Sequence, residues 1–250
     1  MSTGSRQRVA SVARALALLD EVARSDSGLG VNELARRIGV NPSTASRLLA
    51  TLEADGFVER SPEGPYRLGL KLVELSDRVL GQLDVRERAR PWLTWLVEET
   101  GETATLSVPG GGQAITVDFV PSSSSVVSMA RVGRPSVAHA TAAGKVMLAF
   151  SGSALPEELT AFTERTITDP AALAAELEAV RASGIAEAVG EREPDLNALA
   201  GAVFGRGGDL VAILGLQGPA ARLPAHTRRG LREPLRKAAS ELGRSLGGPG

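Results

Sequence analysis

Residues 31–55 constrain the fold more tightly than any other stretch of the chain. Val31, Leu34, Ala35 and Ile38 recur at helical spacing, Gly39 interrupts the pattern, and Asn41-Pro42 opens a second helical run two residues later. A glycine able to take positive φ ends the first helix. Asn41 can accept from first-turn amides, and Pro42 suits the first helical position, where no amide hydrogen is needed. The second helix runs to about Asp55, and Gly56 stops it. Two short helices across so tight a turn form a helix-turn-helix. In front of them, Val12, Leu16, Leu19 and Ala23 mark an amphipathic helix over residues 9–24, and residues 25–30 form a polar loop. Glu33, three residues after Gly30, reads as the first-turn carboxylate of a capped helix start.

The second helix of the pair has two faces. Ala45, Leu48, Leu49 and Leu52 make an apolar stripe, and opposite it lie Ser43, Arg47 and Ala50, flanked by Ser46 and Thr51. That outer face is small, hydroxylated and basic, with no carboxylate before Glu53. Such a surface suits entry into a DNA major groove, where an arginine can fork onto guanine or a phosphate. Local charge agrees. Residues 1–19 carry Arg6, Arg8 and Arg14 without an acid, and residues 34–52 carry Arg36, Arg37 and Arg47 without one. Equally, these can be ordinary solvated arginines. The net charge of −1 argues against a nonspecific basic coat.

Phe57–Arg60 and Tyr66–Leu68 read as two strands around the turn cluster Ser61-Pro62-Glu63-Gly64-Pro65. A hairpin there is a wing, with Arg60 and Arg67 either touching the DNA backbone or serving as plain surface charge. Leu70 to about Leu80 is amphipathic and joins the domains. Val85–Thr100 is a second long helix whose Trp92 and Trp95 read as core packing. Beyond residue 101 the pattern mixes strands (Thr103–Val108, Gln113–Val120, Val126–Val132, Ile185–Val189, Leu196–Phe204, Asp209–Leu216) with helices (Ala140–Phe150, Ala171–Ser183, Ala225–Leu246). Pro109–Gly112 and Gly205–Gly208 read as hairpin turns. This is an α+β pattern. A length of 250 residues fits two domains. The expected division is a winged helix-turn-helix at 1–69, a linker helix at 70–83 and an α/β effector domain at 84–250.

Several chemistries are disfavoured. There is no cysteine, so disulfides and thiolate chemistry are excluded. The only histidines, His139 and His226, are far apart, and neither His-Glu-x-x-His nor Gly-x-Ser-x-Gly occurs. Gly144-Lys145 is P-loop-like, but Val146 stands where Ser or Thr is required. His139 reads as a structural donor capping the loop after it, and Lys145 as a cap or structural pair. No catalytic residue, metal ligand or cofactor is expected. No apolar run reaches membrane length, and the Met1–Arg8 start does not read as a signal peptide, which fits a cytoplasmic location. The rival classes are an enzyme and an interaction protein using a helix-turn-helix for protein contacts. The polar Ser43/Arg47 face disfavours the second.

Ser11–Leu16, Glu33–Val40, Ser43–Leu49, Leu52, Gly56-Phe57-Val58 and Tyr66–Gly69 resemble the IclR family of bacterial regulators. So do His139–Lys145, Val180–Gly184, Glu191, Ala200–Phe204 and Gly218-Pro219. The resemblance implies a GAF-like second domain that binds a small metabolite, commonly an organic acid, beside the His139–Lys145 loop. It implies a pocket formed by Ala142 and Ala143 with Ser128, Ala188, Ala198, Gly215 and Gln217. Acid-binding members often carry Cys or another polar group at the place of Ala198, Ser at those of Gly215 and Gln217, and an acid near that of Ala188. Asp195 stands where Gly is frequent. These departures imply a ligand larger or less acidic than glyoxylate or pyruvate. The resemblance further implies a homodimer or dimer of dimers on near-palindromic double-stranded DNA. Base readout falls to Ser43, Thr44, Ser46 and Arg47, and backbone contact to Arg14, Arg36, Arg37, Arg60 and Arg67. The ligand acts by shifting dimer geometry through helix 70–80. Repression is the expected sign, with activation of a catabolic operon as the alternative.

Overall fold

The computed structural model describes residues 9–62, 64–81, 84–124, 130–152 and 155–248. The chain forms two compact units, Met1–Gln82 and Leu83–Gly250.

The first unit runs α1 (Ala10–Ala23), α2 (Val31–Arg37), α3 (Pro42–Ala54), β1 (Val58–Arg60), β2 (Tyr66–Leu68) and α4 (Lys71–Gly81). Gly39 takes φ +69°, which ends α2 and turns the chain so that the Val40 amide meets the Ala35 carbonyl at 3.0 Å. Asn41 then starts α3, its Oδ1 accepting from the Thr44 amide at 2.8 Å. β1 and β2 pair antiparallel, with Val58 opposite Leu68. Leu29, from the α1–α2 loop, bridges Tyr66 and adds a third short member to the wing. Leu18, Val22, Leu34, Ala35, Ala45, Leu49, Val58 and Tyr66 form the core.

Two expectations fail in this unit. The apolar stripe that packs on α1 is not the one periodicity picked. Leu18 and Val22 are buried and Leu19 is half-buried, whereas Val12 and Leu16 are 55% and 58% exposed and Ala23 is exposed. The helix carries two apolar stripes, and spacing alone does not say which meets the core. Glu33 does not cap α2 either. Its carboxylate accepts from Arg36 and Arg37 instead.

The second unit comprises α5 (Asp84–Thr100), β3 (Thr103–Gly110), β4 (Gln113–Val120), α6 (Ala142–Phe150), α7 (Pro170–Ser183), β5 (Ile185–Val189), β6 (Leu196–Phe204), β7 (Leu210–Pro219) and α8 (Ala225–Ser245). The sheet is antiparallel in the order β4-β3-β7-β6-β5. Successive strand residues point to opposite faces. Gly201 accordingly meets Leu235 and Ala239 of α8, while Ala200 joins the apolar cluster with Val146 and Leu177 of α6 and α7.

The hairpin expected at Pro109–Gly112 is tighter than a four-residue turn. The strands pair as far as Gly110 opposite Gln113, leaving Gly111 and Gly112 at φ +57° and +79° as a two-residue loop. The strand expected at 126–132 lies outside the described residues up to 129, and 130–132 are not strand. Trp92 and Trp95 pack edge to face with centroids 5.9 Å apart, but both stay half-buried. The Lys237 ammonium lies 4.9 Å from the Trp95 ring centre, so the pair braces α5 against α8 rather than filling the core.

Candidate functional site

α3 presents the face the sequence predicts. Ala45 and Leu49 are buried, Thr44, Leu48 and Leu52 half-buried, and Ser43, Ser46, Arg47, Ala50 and Thr51 exposed. Ser43 donates to Asn41 Oδ1 at 2.9 Å and Thr51 to the Arg47 carbonyl at 3.2 Å. Both hydroxyls are therefore tied to the helix itself. Arg47 and Arg14 are exposed, and neither has a side-chain partner among the described residues. On the wing, Arg60 donates to the Gly64 carbonyl at 3.3 Å and lies 5.8 Å from the Tyr66 ring centre, while Arg67 is exposed.

Arg36 and Arg37 are engaged differently. Arg36 forks onto Glu33 through Nε at 3.0 Å and Nη2 at 2.7 Å. Arg37 donates to Glu33 at 2.8 Å and to Glu21 on α1 at 3.3 Å. The two guanidiniums hold the Glu33 carboxyl down to about 2, and the shared carboxylate raises both arginines above their usual value. The stretch 34–52 contains no acid, but the fold places two carboxylates on its arginines.

In the second unit a cavity of about 850 Å³ opens between the sheet and the start of α6. Two cross-strand rows make its floor. Ala188, Ala198 and Gln217 are register partners, and so are Ala200, Gly215 and Thr105. Ala142 and Ala143 bound the helix end. Of the residues implied for the pocket, these two and Ala188, Ala198, Gly215 and Gln217 thus surround one cavity, and Ser128 lies outside the described residues.

The helix end is built for close approach. Thr141 caps α6, accepting from the Gly144 amide at 3.1 Å and donating to the Val137 carbonyl at 2.7 Å. Gly144 is packed so tightly on residues 137–138 that a Cβ would strike both carbonyls. The Ala142 and Ala143 amides belong to the first turn of α6, where no intrahelical acceptor exists, and both residues line the cavity with only a methyl side chain.

Sequence reasoning missed much of the remaining lining. Thr105, Ser107 and Thr116 contribute hydroxyls, and Arg131, Arg134, Arg192, Glu193 and Asp195 contribute charges. A Cβ at Gly215 would collide with Oγ1 of Thr105. The bare glycine makes room for a hydroxyl from the neighbouring strand, so the floor keeps a polar group there. The readable signal was the alternation Thr103, Thr105, Ser107 in one strand. Its direction depended on register.

Neither His139 nor Lys145 is free for acid–base chemistry. His139 is buried, with Nε2 3.0 Å from the Thr160 carbonyl, so it pins a distant segment rather than capping the loop that follows it. Lys145 is buried and bonds to Glu191 at 2.7 Å, to the Glu187 carbonyl at 2.9 Å and to Glu176 at 3.3 Å, the structural pairing expected of it.

Comparison with known proteins agrees with this architecture. Residues 11–62 match the IclR helix-turn-helix domain, and residues 77–244 match the bacterial transcriptional regulator IclR C-terminal domain. The chain is 33% identical over 248 residues to the HTH-type transcriptional regulator XynR of Escherichia coli, covering 96% of this chain and 98% of XynR. It resembles the structure of an IclR transcriptional regulator from Silicibacter sp. with a TM-score of 0.82 and 30% identity, covering 96% and 97% of the two chains. It also resembles an IclR homologue from Microbacterium hydrocarbonoxydans complexed with 4-hydroxybenzoate, with a TM-score of 0.76 and 25% identity, covering 95% and 99%. No helix among the described residues is long and apolar enough to cross a membrane.

Proposed function

The chain belongs to the IclR family of bacterial transcriptional regulators, with a DNA-binding helix-turn-helix unit and an effector-binding unit, and on that premise we propose how each unit engages its ligand. The first unit sets α3 in the major groove of a near-palindromic operator. Arg47 reads a guanine edge, and Ser43 and Ser46 approach neighbouring bases. Half-buried Thr44 lies under the helix N-terminus, where amides can meet a phosphate. Arg14, Arg60 and Arg67 set register through the backbone.

The second unit binds an organic acid in the 850 Å³ cavity. Its carboxylate takes the Ala142 and Ala143 amides, and its body lies on the Ala188–Ala198–Gln217 and Thr105–Gly215–Ala200 rows. The observation that carries this reading is the coincidence of an open helix end with a floor of small side chains. The volume and the hydroxyls of Thr105, Ser107 and Thr116 favour an acid larger than two or three carbons. Calorimetry against glyoxylate, pyruvate and 4-hydroxybenzoate tests it. Micromolar binding of either small keto acid overturns the size argument.

No catalytic role is proposed, since His139 and Lys145 are committed to structural bonds. The second apolar stripe on α1 (Val9, Val12, Leu16) and the exposed Leu70, Val73 and Leu75 at α4 support self-association through this unit, in keeping with a two-fold operator. Binding to chromosomal DNA implies a cytoplasmic protein.

A further inference from the structure

We propose that Glu33 is an internal substitute for a DNA phosphate, holding Arg36 and Arg37 off the backbone of non-cognate DNA. The inference rests on the DNA-binding reading above. Arg36 presents its Nε/Nη2 fork to the two oxygens of Glu33 at 3.0 and 2.7 Å, the geometry in which arginine also grips phosphate. Arg37 is shared between Glu33 and Glu21. Glu21 also accepts from Arg24, so the two carboxylates cut the charge of the three arginines from +3 to a net +1, and Glu33 supplies the part that falls on Arg36 and Arg37.

The location makes this matter. Both arginines sit in the last turn of α2, one glycine turn before the N-terminus of α3. Arg36 is 73% exposed, so a phosphate could reach it in place of the carboxylate. Non-specific affinity grows with every phosphate neutralised, at about 0.9 in the slope of log K against log salt. Two arginines withheld from the backbone lower affinity for all sequences alike. Arg47, which has no such partner, keeps its reach for a base edge. Glu33 thereby widens the gap between operator and bulk DNA.

The test is fluorescence anisotropy of the full chain on a scrambled duplex across a salt series. Glu33→Gln is expected to bind several-fold tighter, with a slope steeper by about 1 to 2. Adding Arg36→Gln to that variant should take back about half of the extra slope. Glu33→Ala should act in the same direction, and thermal unfolding checks that both variants fold. Glu98→Gln, an exposed change of equal charge on α5, controls for net charge alone. Unchanged affinity and slope in both Glu33 variants overturn the proposal. So does weaker binding at unchanged melting temperature, which would mean that Glu33 presents the arginines to DNA. Wild-type binding with no salt dependence would instead fault the placement of arginines on phosphates altogether.

Discussion

The ammonium of Lys145 donates to Oε1 of Glu191 across 2.7 Å, while Oε2 of the same carboxylate is buried without a protein partner among the described residues. Both side chains are shielded, at 1% and 8% exposure. A buried pair of this kind is costly to break on one side, because the remaining charge stays desolvated. Lys145→Met is therefore expected to destabilise the second unit by about 3–5 kcal/mol. Lys145→Met with Glu191→Leu should recover most of that, since neither charge is then left alone. Urea midpoints read both, and a single variant as stable as wild type contradicts the geometry. The pair also ties α6 to the loop that carries Arg192 and Glu193 at the cavity.

Thr105 and Gly215 define the floor of that cavity. Gly215→Ala drives a methyl into Oγ1 of Thr105 and is expected to cost about 1–3 kcal/mol by overpacking. The double change Thr105→Ala, Gly215→Ser moves the hydroxyl from β3 to β7 and relieves the collision. Its denaturation midpoint should return towards wild type while its ranking of organic acids in a thermal-shift panel changes. An unaltered ranking would remove Thr105 from ligand recognition.

Arg47 is the uncommitted cation on the exposed face of α3. Arg47→Ala should cost about 1–3 kcal/mol in operator binding if the contact is bidentate to guanine. Its effect on scrambled DNA should be much smaller. Anisotropy on both duplexes decides between base and phosphate contact: equal losses on the two would assign Arg47 to the backbone.

The helix-turn-helix was legible because its signals are local. Gly39, Asn41 and Pro42 each act within a few residues, and each acts as expected in the structure. The small residues of the cavity were legible only through family resemblance, because nothing in the spacing of Ala188, Ala198 and Gly215 brings them together before the strands pair. Thr105 and Ser107 stayed hidden for the same reason. Arg36 and Arg37 show a different limit. Glu33 stands three and four residues before them, a spacing that favours ion pairs, yet the capping pattern with Gly30 competed for the same carboxylate. Glu21 joins them from α1, a contact no local pattern reports.

The Glu33 cluster also sets a pH signature. Its carboxyl titrates near 2 in the folded chain against an ordinary 4.5. A depressed folded-state value contributes stability above the unfolded value, and that contribution disappears as pH falls from about 4.5 through 2. Melting temperatures of wild type and Glu33→Gln should therefore differ most near neutrality and converge as the solution is acidified through this window. A constant gap from about pH 6 down to about pH 2 would contradict the shared pairing with Arg36 and Arg37.

Val12 and Leu16 test self-association. Both lie on the stripe of α1 that the core of the unit leaves exposed, and burying a side chain of this size is worth about 1.5–3 kcal/mol. A two-fold interface would count each of them twice. Aspartates at both positions cannot be buried unpaired, and neither position belongs to the core cluster in which Leu18 and Val22 hold α1 to its own unit. The double variant Val12→Asp, Leu16→Asp should keep its fold, sediment as a species of half the wild-type mass, and bind a two-half-site operator much more weakly. It should bind an isolated half-site nearly as well as wild type. Unchanged sedimentation would show that the stripe is not the face through which copies of this chain meet.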